Sequence, residues 1–390
     1  MRVRKLLYAM LVLAVLLAGW SFYHHQGQDV VAPVPPQSVP DNKQHLTITA
    51  AGDCLMHNTQ IWSGQEGNTY NFNHFFQDIK PYLEEGQVTS TCFEAPMAGQ
   101  QAVYAGYPQF NSPDEMADAF KYAGFDIIVT ANNHSLDRGV NGAIRTLDVL
   151  KNRGLDTLGT YASAEASRKP LIKEANGIKV GYLAYTYGTN GIPVPERYAY
   201  LVNFIDADKI VADIKVLRPQ VDIVVLVLHW GVEYTRTPTP EQKLLAHRFL
   251  ESGADVILGS HPHVIQTMEV IPAGGQQKFV IYGMGNFISH QKGQERNSGI
   301  VLKITFSKDL STNQTQIDSI SYTPTFSHSY KENGKTRFRV IAVEETINRL
   351  QQGRESILSP EDIPLLQAVL DDTRKRLGPY WQRDDAIHNE

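Results

Sequence analysis

Cationic charge, sulfur and repetition are all scarce in this chain. Among its 390 residues, 36 Lys and Arg stand against 41 Asp and Glu, a formal net charge of −5. That mildly acidic balance removes the electrostatic footing a nucleic-acid-binding protein needs. Only two cysteines occur, Cys54 and Cys92. At most one disulfide is therefore available, and a densely stapled small scaffold is excluded. No internal repeat is visible, which sets aside a stacked-repeat architecture. What remains is an ordinary globular composition, 42% hydrophobic with 29 Gly and 20 Pro. It is long enough for one large domain or two small ones.

The N-terminus is the exception. Arg2, Arg4 and Lys5 precede a run over residues 6–23 that contains no charged residue. Cations followed by such a run suit a membrane-spanning anchor or a secretory signal. No small-x-small cleavage site follows, and Trp20, Phe22 and Tyr23 resemble an interfacial aromatic belt. The preferred reading is an uncleaved single-pass anchor over residues 1–28 with the body outside the cytoplasm; the alternative is secretion after cleavage. Pro33, Pro35, Pro36 and Pro40 then make residues 29–45 an extended, semi-rigid stalk.

Strands are expected at 46–51, 88–93, 125–130, 155–158 and 221–228. Helices are expected at 75–85, from Ser112 as N-cap to Ala123, at 142–152, at 207–217 and from Thr239 to Gly253. Asn176-Gly177 between apolar runs marks a hairpin, so antiparallel pairing enters there. Residues 300–306 and 317–322 alternate as half-exposed strands do. From Ile341 a helical extension, residues 341–390, is expected, with Ser359 starting its last helix. The pattern indicates an α/β sandwich of mixed sheets flanked by helices, over residues 46–340.

Chemistry-bearing residues cluster at strand ends. Gly259-Ser260-His261-Pro262-His263 closes the apolar run 254–258. In extended backbone, histidines at i and i+2 point the same way, with Cα atoms about 6.5 Å apart. That spacing suits two metals about 3.5–4 Å apart. Four other strand-like runs end in potential ligands: Asp53, Glu94, Asn133 with His134, and His229. Ligands of open α/β sheets gather beyond the carboxyl ends of the strands, so the fold is expected to bring these groups together.

Taken with Ala51-Gly52-Asp53, Phe93-Glu94-Ala95-Pro96, residues 131–139, His229-Trp230-Gly231-Val232-Glu233-Tyr234, residues 259–266 and Tyr282-Gly283-Met284-Gly285-Asn286-Phe287, the chain resembles the CapA-type bacterial capsule-synthesis family associated with poly-γ-glutamate, a relative of calcineurin-like metallophosphoesterases. The resemblance implies a calcineurin-like metallophosphoesterase sandwich and two divalent metals, Mn, Fe or Zn. Asp53 and His263 would bind one metal, Glu94 would bridge, and Asn133, His229 and His261 would bind the other. His134 would be the general acid, oriented by Asp137. Asn132, Arg138, Trp230, Glu233 and Asn286 would support the ligands or meet substrate. Two departures stand out. His57, four residues after Asp53, replaces the usual Asp-x-His and is a candidate to complete the first metal's shell. Cys92-Phe93-Glu94 replaces Asn-Leu-Glu.

Bland roles compete: single strand-end histidines are commonly structural, Asp53 and Glu94 could cap helices or form ion pairs, and Asn133 could occupy a left-handed turn. The joint pattern favours ligands. The two cysteines are expected as small buried thiols, although an oxidising compartment would permit a bridge. The implied function is a membrane-anchored two-metal hydrolase acting on a phosphoester or γ-glutamyl amide of an anionic polymer, through a hydroxide shared by the metals. The alternative is a non-catalytic accessory subunit working with capsule synthase and export proteins. No nucleic-acid partner is expected.

Overall fold

The structure is a computed structural model describing residues 42–383, together with the isolated positions Met10 and Ala14. It divides into two units, Met1–Asn42 and Lys43–Glu390. Apart from those two positions, the anchor expected over residues 1–28 lies outside the described residues, as does the stalk as far as residue 41. No helix among the described residues is long and apolar enough to cross a membrane.

In the second unit the strands run, in chain order, β1 (Lys43–Cys54), β2 (Gln65–Glu66), β3 (Thr69–Tyr70), β4 (Val88–Phe93), β5 (Ile127–Val129), β6 (Asp156–Leu158), β7 (Leu171–Ala175), β8 (Ile178–Thr186), β9 (Ile223–His229), β10 (Val256–Ser260), β11 (Met268–Ala273), β12 (Gln276–Ile281), β13 (Asn286–Ile288), β14 (Ser298–Asp309), β15 (Thr315–Glu332), β16 (Lys335–Ala342) and β17 (Trp381–Gln382). One sheet has the order β16-β15-β14-β1-β4-β5-β6, with β13 beside β1 and β17 beside β15; the other has the order β11-β12-β10-β9-β8-β7. β1, β4, β5 and β6 pair in parallel, as do β8, β9, β10 and β12. Antiparallel partners border each parallel core.

Side-chain alternation makes the sandwich. Val225 and Val227 of β9 join Ile48, Ala50, Val88 and Cys92 in the layer between the sheets. Their neighbours Val224, Leu226 and Leu228 pack outward under helices Ala207–Leu217 and Pro240–Glu251. Strands buried on both faces read as continuous apolar runs for this reason. Burying one such Val or Leu side chain contributes about 1.5–3 kcal/mol.

Local signals held where their chemistry was complete. Asn176 and Gly177 both have positive φ and join β7 to β8. Thr239 and Gln242 form a reciprocal capping box. Two starts differ from expectation. The 75–85 helix is broken into a 3₁₀ turn, Asn73–Phe75, and a short helix, Lys80–Leu83. Pro81 explains the break, because its ring clashes with the preceding turn and suits only a first helical turn. The next helix begins at Glu115, and Ser112 Oγ has no hydrogen-bond partner. Asp114 is held instead by Arg145, at 2.7 and 2.8 Å. The helices expected from Ile341 follow β16 as Val343–Gln351 and Ile363–Leu377. Their apolar faces pack with Phe326 and Ile341, within the same unit.

At the amino edge of the second parallel core, Asp255 is 8% exposed. It pairs with Lys278 and Arg218 and accepts the Val224 N–H at 2.7 Å. Neutralising it would strand the Lys278 ammonium, which is 6% exposed. Asp255→Asn is therefore expected to cost about 3–5 kcal/mol, as breaking one side of a buried ion pair does. Urea unfolding checks this: the midpoint should fall with the slope unchanged, and an unaltered midpoint would refute it.

Candidate metal centre

The carboxyl ends of both parallel cores meet at one edge. β1 contributes Asp53, the residue after β4 is Glu94, the loop after β5 carries Asn133 and His134, β9 ends in His229, and His261 and His263 follow β10. All are buried, Asp53 at 1% and Glu94 at 0% exposure.

Asp53 reaches the site through an irregularity. The register between β1 and β4 shifts between Ala50 and Asp53, and a bulge re-aims the side chains beyond it. Gly52 permits the turn, since a Cβ there would lie 2.0 Å from the Gly285 carbonyl oxygen. The adjacent Asp53 N–H donates to that oxygen at 2.9 Å. Asp53 pairs across the strands with Cys92, and Cys54 with Phe93. Cys92 faces the layer between the sheets and Cys54 the opposite layer, so both thiols are free despite their adjacency.

The histidine pair differs from the extended geometry expected of it. β10 stops at Ser260, and His261 and His263 have φ of 92° and 57°. Non-glycine residues in this region carry about 1–3 kcal/mol of strain each. The turn nevertheless brings the two rings to a centroid separation of 5.9 Å. The His261 N–H donates to Asp53 Oδ2 at 3.0 Å.

Several groups orient the ligand candidates. His263 Nδ1 lies 3.0 Å from Asn286 Oδ1, which leaves its Nε2 3.9 Å from Glu94 Oε2. His229 Nδ1 lies 2.9 Å from Ser260 Oγ, while its Nε2 is 2.9 Å from Asn133 Oδ1 and 3.9 Å from Glu94 Oε2. Asn133 Nδ2 donates to Asn190 Oδ1 at 3.1 Å, turning the amide oxygen toward His229. Such outer partners fix the tautomer and aim of a metal ligand. Asn190, in a loop, carries no sequence signal, and the sequence assigns Ser260 no role although it lies within the 259–263 stretch.

The electrostatics suit a bound cation. Burial, and then Asp53's charge, push Glu94 well above the ordinary carboxylate range. Asp53 itself is pushed up to about 7, mainly by burial. Burial holds His261 down to about 4 and His263 to about 3, and His229 well below its usual value. Neither Glu94 oxygen has a hydrogen-bond partner, nor do Asp53 Oδ1 and His261 Nδ1. Potential ligand atoms of Asp53, Cys92, Glu94 and His229 all lie within 4.8 Å of one another, and so do those of Glu233, His261 and His263. Buried carboxylates beside neutral imidazoles, with lone pairs unclaimed, fit divalent metal ions.

Beside these groups a cavity of about 580 Å³ is lined by His134, Asp137, Phe110, Tyr234, Glu233 and His57 among others. His134 Nδ1 is 2.8 Å from Asp137 Oδ2, and Phe110 packs edge-on to the His134 ring at 4.7 Å. Asp137 Oδ2 also accepts the Phe110 N–H at 2.7 Å. Asn132 Nδ2 donates to the Phe93 carbonyl, and its Oδ1 accepts the His134 N–H. Arg138 donates to the Phe110 and Gln109 carbonyls, holding that wall. His57 lines the cavity but belongs to neither ligand group, its Nδ1 lying 3.1 Å from Gln60 Oε1. Trp230 packs in the outer apolar layer against Tyr282, away from the ligands.

A family model described as "Bacterial capsule synthesis protein PGA_cap" matches residues 47–291. The capsule biosynthesis protein CapA of Bacillus anthracis is 30% identical over 72% of this chain and 67% of its own length. The PGA biosynthesis protein CapA of Bacillus subtilis (strain 168) is 30% identical over 55% of this chain. Its alignment spans 57% of that relative's own length, little more than half. Among solved structures, the NAD nucleotidase of Haemophilus influenzae aligns with a TM-score of 0.48 and 13% identity, covering 86% of this chain and 64% of that one.

The buried charge supplies a test through Glu94→Gln, which keeps the shape. A carboxyl whose folded pKa is raised loses stability as pH rises from its ordinary value through the raised one. At pH 8 the metal-free variant is expected to melt at or above the metal-free wild type. Added Mn or Zn should stabilise the wild type, by about 2.7 kcal/mol at a hundredfold excess over Kd, and the variant much less. A metal-free variant melting well below wild type at pH 8 would contradict this account.

Proposed function

The chain belongs to the bacterial capsule synthesis protein family, and on that premise we propose that it is a metal-dependent hydrolase of the cell envelope. Its substrate would be a phosphoester or γ-glutamyl amide met during capsule or polyglutamate-type polymer production. The observation that carries the reading is the buried set of ligand atoms without partners lying beside a His134–Asp137 pair on an open cavity.

Asp53 and His263 would hold one divalent ion, Asn133, His229 and His261 a second, with Glu94 between them and His57 a further candidate. Such ions, when bound, supply Lewis-acid polarisation of a phosphoryl or carbonyl oxygen and activation of water near neutral pH. The cavity itself argues for that need. Among its described lining residues are Asp137 and Glu233 but no lysine or arginine. An anionic substrate would meet no lysine or arginine among those lining residues.

The chain's own contribution is proton delivery. Asp137 accepts from His134 Nδ1, holding the ring and stabilising its imidazolium form, in which the other ring nitrogen carries the proton that would go to the leaving group. Phe110 limits ring rotation by edge contact and ties the dyad to the wall through its N–H. The basic and apolar N-terminal run supports a body anchored outside the cytoplasm, where a capsule synthase or export subunit would be its neighbour.

His134→Ala is expected to lower kcat on bis-p-nitrophenyl phosphate about 10²- to 10⁴-fold, the usual worth of a positioned general acid. Metal content should be unchanged. Loss of bound metal in that variant would make His134 a ligand instead. Wild-type turnover no faster than metal alone would sink the hydrolase reading and leave a binding role in polymer assembly.

A further inference from the structure

Cys92 is the one residue of the group Asp53, Cys92, Glu94 and His229 that the six proposed ligands leave unused. It lies near the end of β4, two positions before Glu94, which follows the strand directly. Its Sγ is 3.8 Å from His229 Nδ1, the ring nitrogen that also meets Ser260 Oγ, and Asp53 is its cross-strand partner. Potential ligand atoms of Asp53, Cys92, Glu94 and His229 lie mutually within 4.8 Å, with every one of these residues buried. The unpartnered oxygens of Glu94 and Asp53 belong to the same cluster, so the thiol stands among groups already lacking a counter-charge.

We propose that Cys92 is a thiolate ligand of the metal centre and biases it toward a thiophilic dication, zinc above manganese. This rests on the metal-centre reading given above. Charge permits it: Asp53, Glu94 and Cys92 would bring three negative charges against the four positive charges of two dications, while the histidines stay neutral. On binding, the S–H proton leaves to solvent and the sulfur lone pair forms the bond to the metal; no oxidant is involved. Softness sets the preference, since thiolate favours zinc whereas carboxylate and water alone suit manganese.

Cys54 is the internal control. It is equally buried and one strand away, yet its Sγ lies 3.3 Å from Thr91 Oγ1 in the layer on the other face. The full-length chain is stripped with a chelator and reloaded with Co(II). A near-ultraviolet thiolate-to-cobalt charge-transfer band is expected in the wild type and in Cys54→Ser, where Cys92 is the only remaining thiol. Cys92→Ser should keep the visible cobalt bands, lose the charge-transfer band, and lower the zinc-over-manganese affinity ratio about tenfold or more. Cobalt bound without a charge-transfer band in the wild type, or a band lost in Cys54→Ser, overturns the thiolate assignment. Absence of cobalt binding by the wild type overturns the metal centre itself.

Discussion

Two carboxyl groups pressed together in a dry interior are the constraint on which the rest of this structure depends. Each buried ion costs several kcal/mol when unpaired, against a net domain stability of only about 5–15 kcal/mol. Among the described residues no lysine or arginine pairs with Asp53 or Glu94; their ion-pair neighbours are histidines kept neutral by burial. Binding energies of about 10–16 kcal/mol for structural zinc peptides exceed that cost. A bound metal would therefore resolve a conflict that the polypeptide leaves standing.

The fold puts chemistry and stability at opposite edges of the same strands. At the amino edge, Asp255, Lys278 and Arg218 satisfy one another completely enough to hold β9, β10 and β12 in register. At the carboxyl edge, alternation is deliberately broken. A bulge reorients Asp53, and left-handed turns at His261 and His263 draw the backbone back over the site. Strain of this kind persists only where surrounding packing over-determines it. Here the close backbone approaches at Gly52 and Gly259 provide that packing, since a Cβ at Gly259 would lie 1.9 Å from the Tyr282 carbonyl oxygen.

The layers were legible because buried parallel strands and complete caps leave strong local marks. The run ending at His229, the Asn176-Gly177 turn and the Thr239 box all appear where their chemistry requires. Broken helices were less legible. Pro81 and the diversion of Asp114 to Arg145 depend on contacts that periodicity does not encode. In the site, strand-end position identified the residues that gather, but not how they are aimed. The positive φ of the histidine turn, the support from Asn190 and Ser260, and the outward placement of Trp230 follow from long-range packing.

The centre also straddles the sandwich, with Asp53 and Glu94 from one sheet and His229, His261 and His263 from the other. The Asp53 carboxylate and the His261 backbone that bind it together are 208 residues apart in sequence. During synthesis the early half has nothing to close upon until the later histidines emerge, so the site cannot be charged piecemeal. Any ion held there would bind only once the later histidines have joined the early carboxylates.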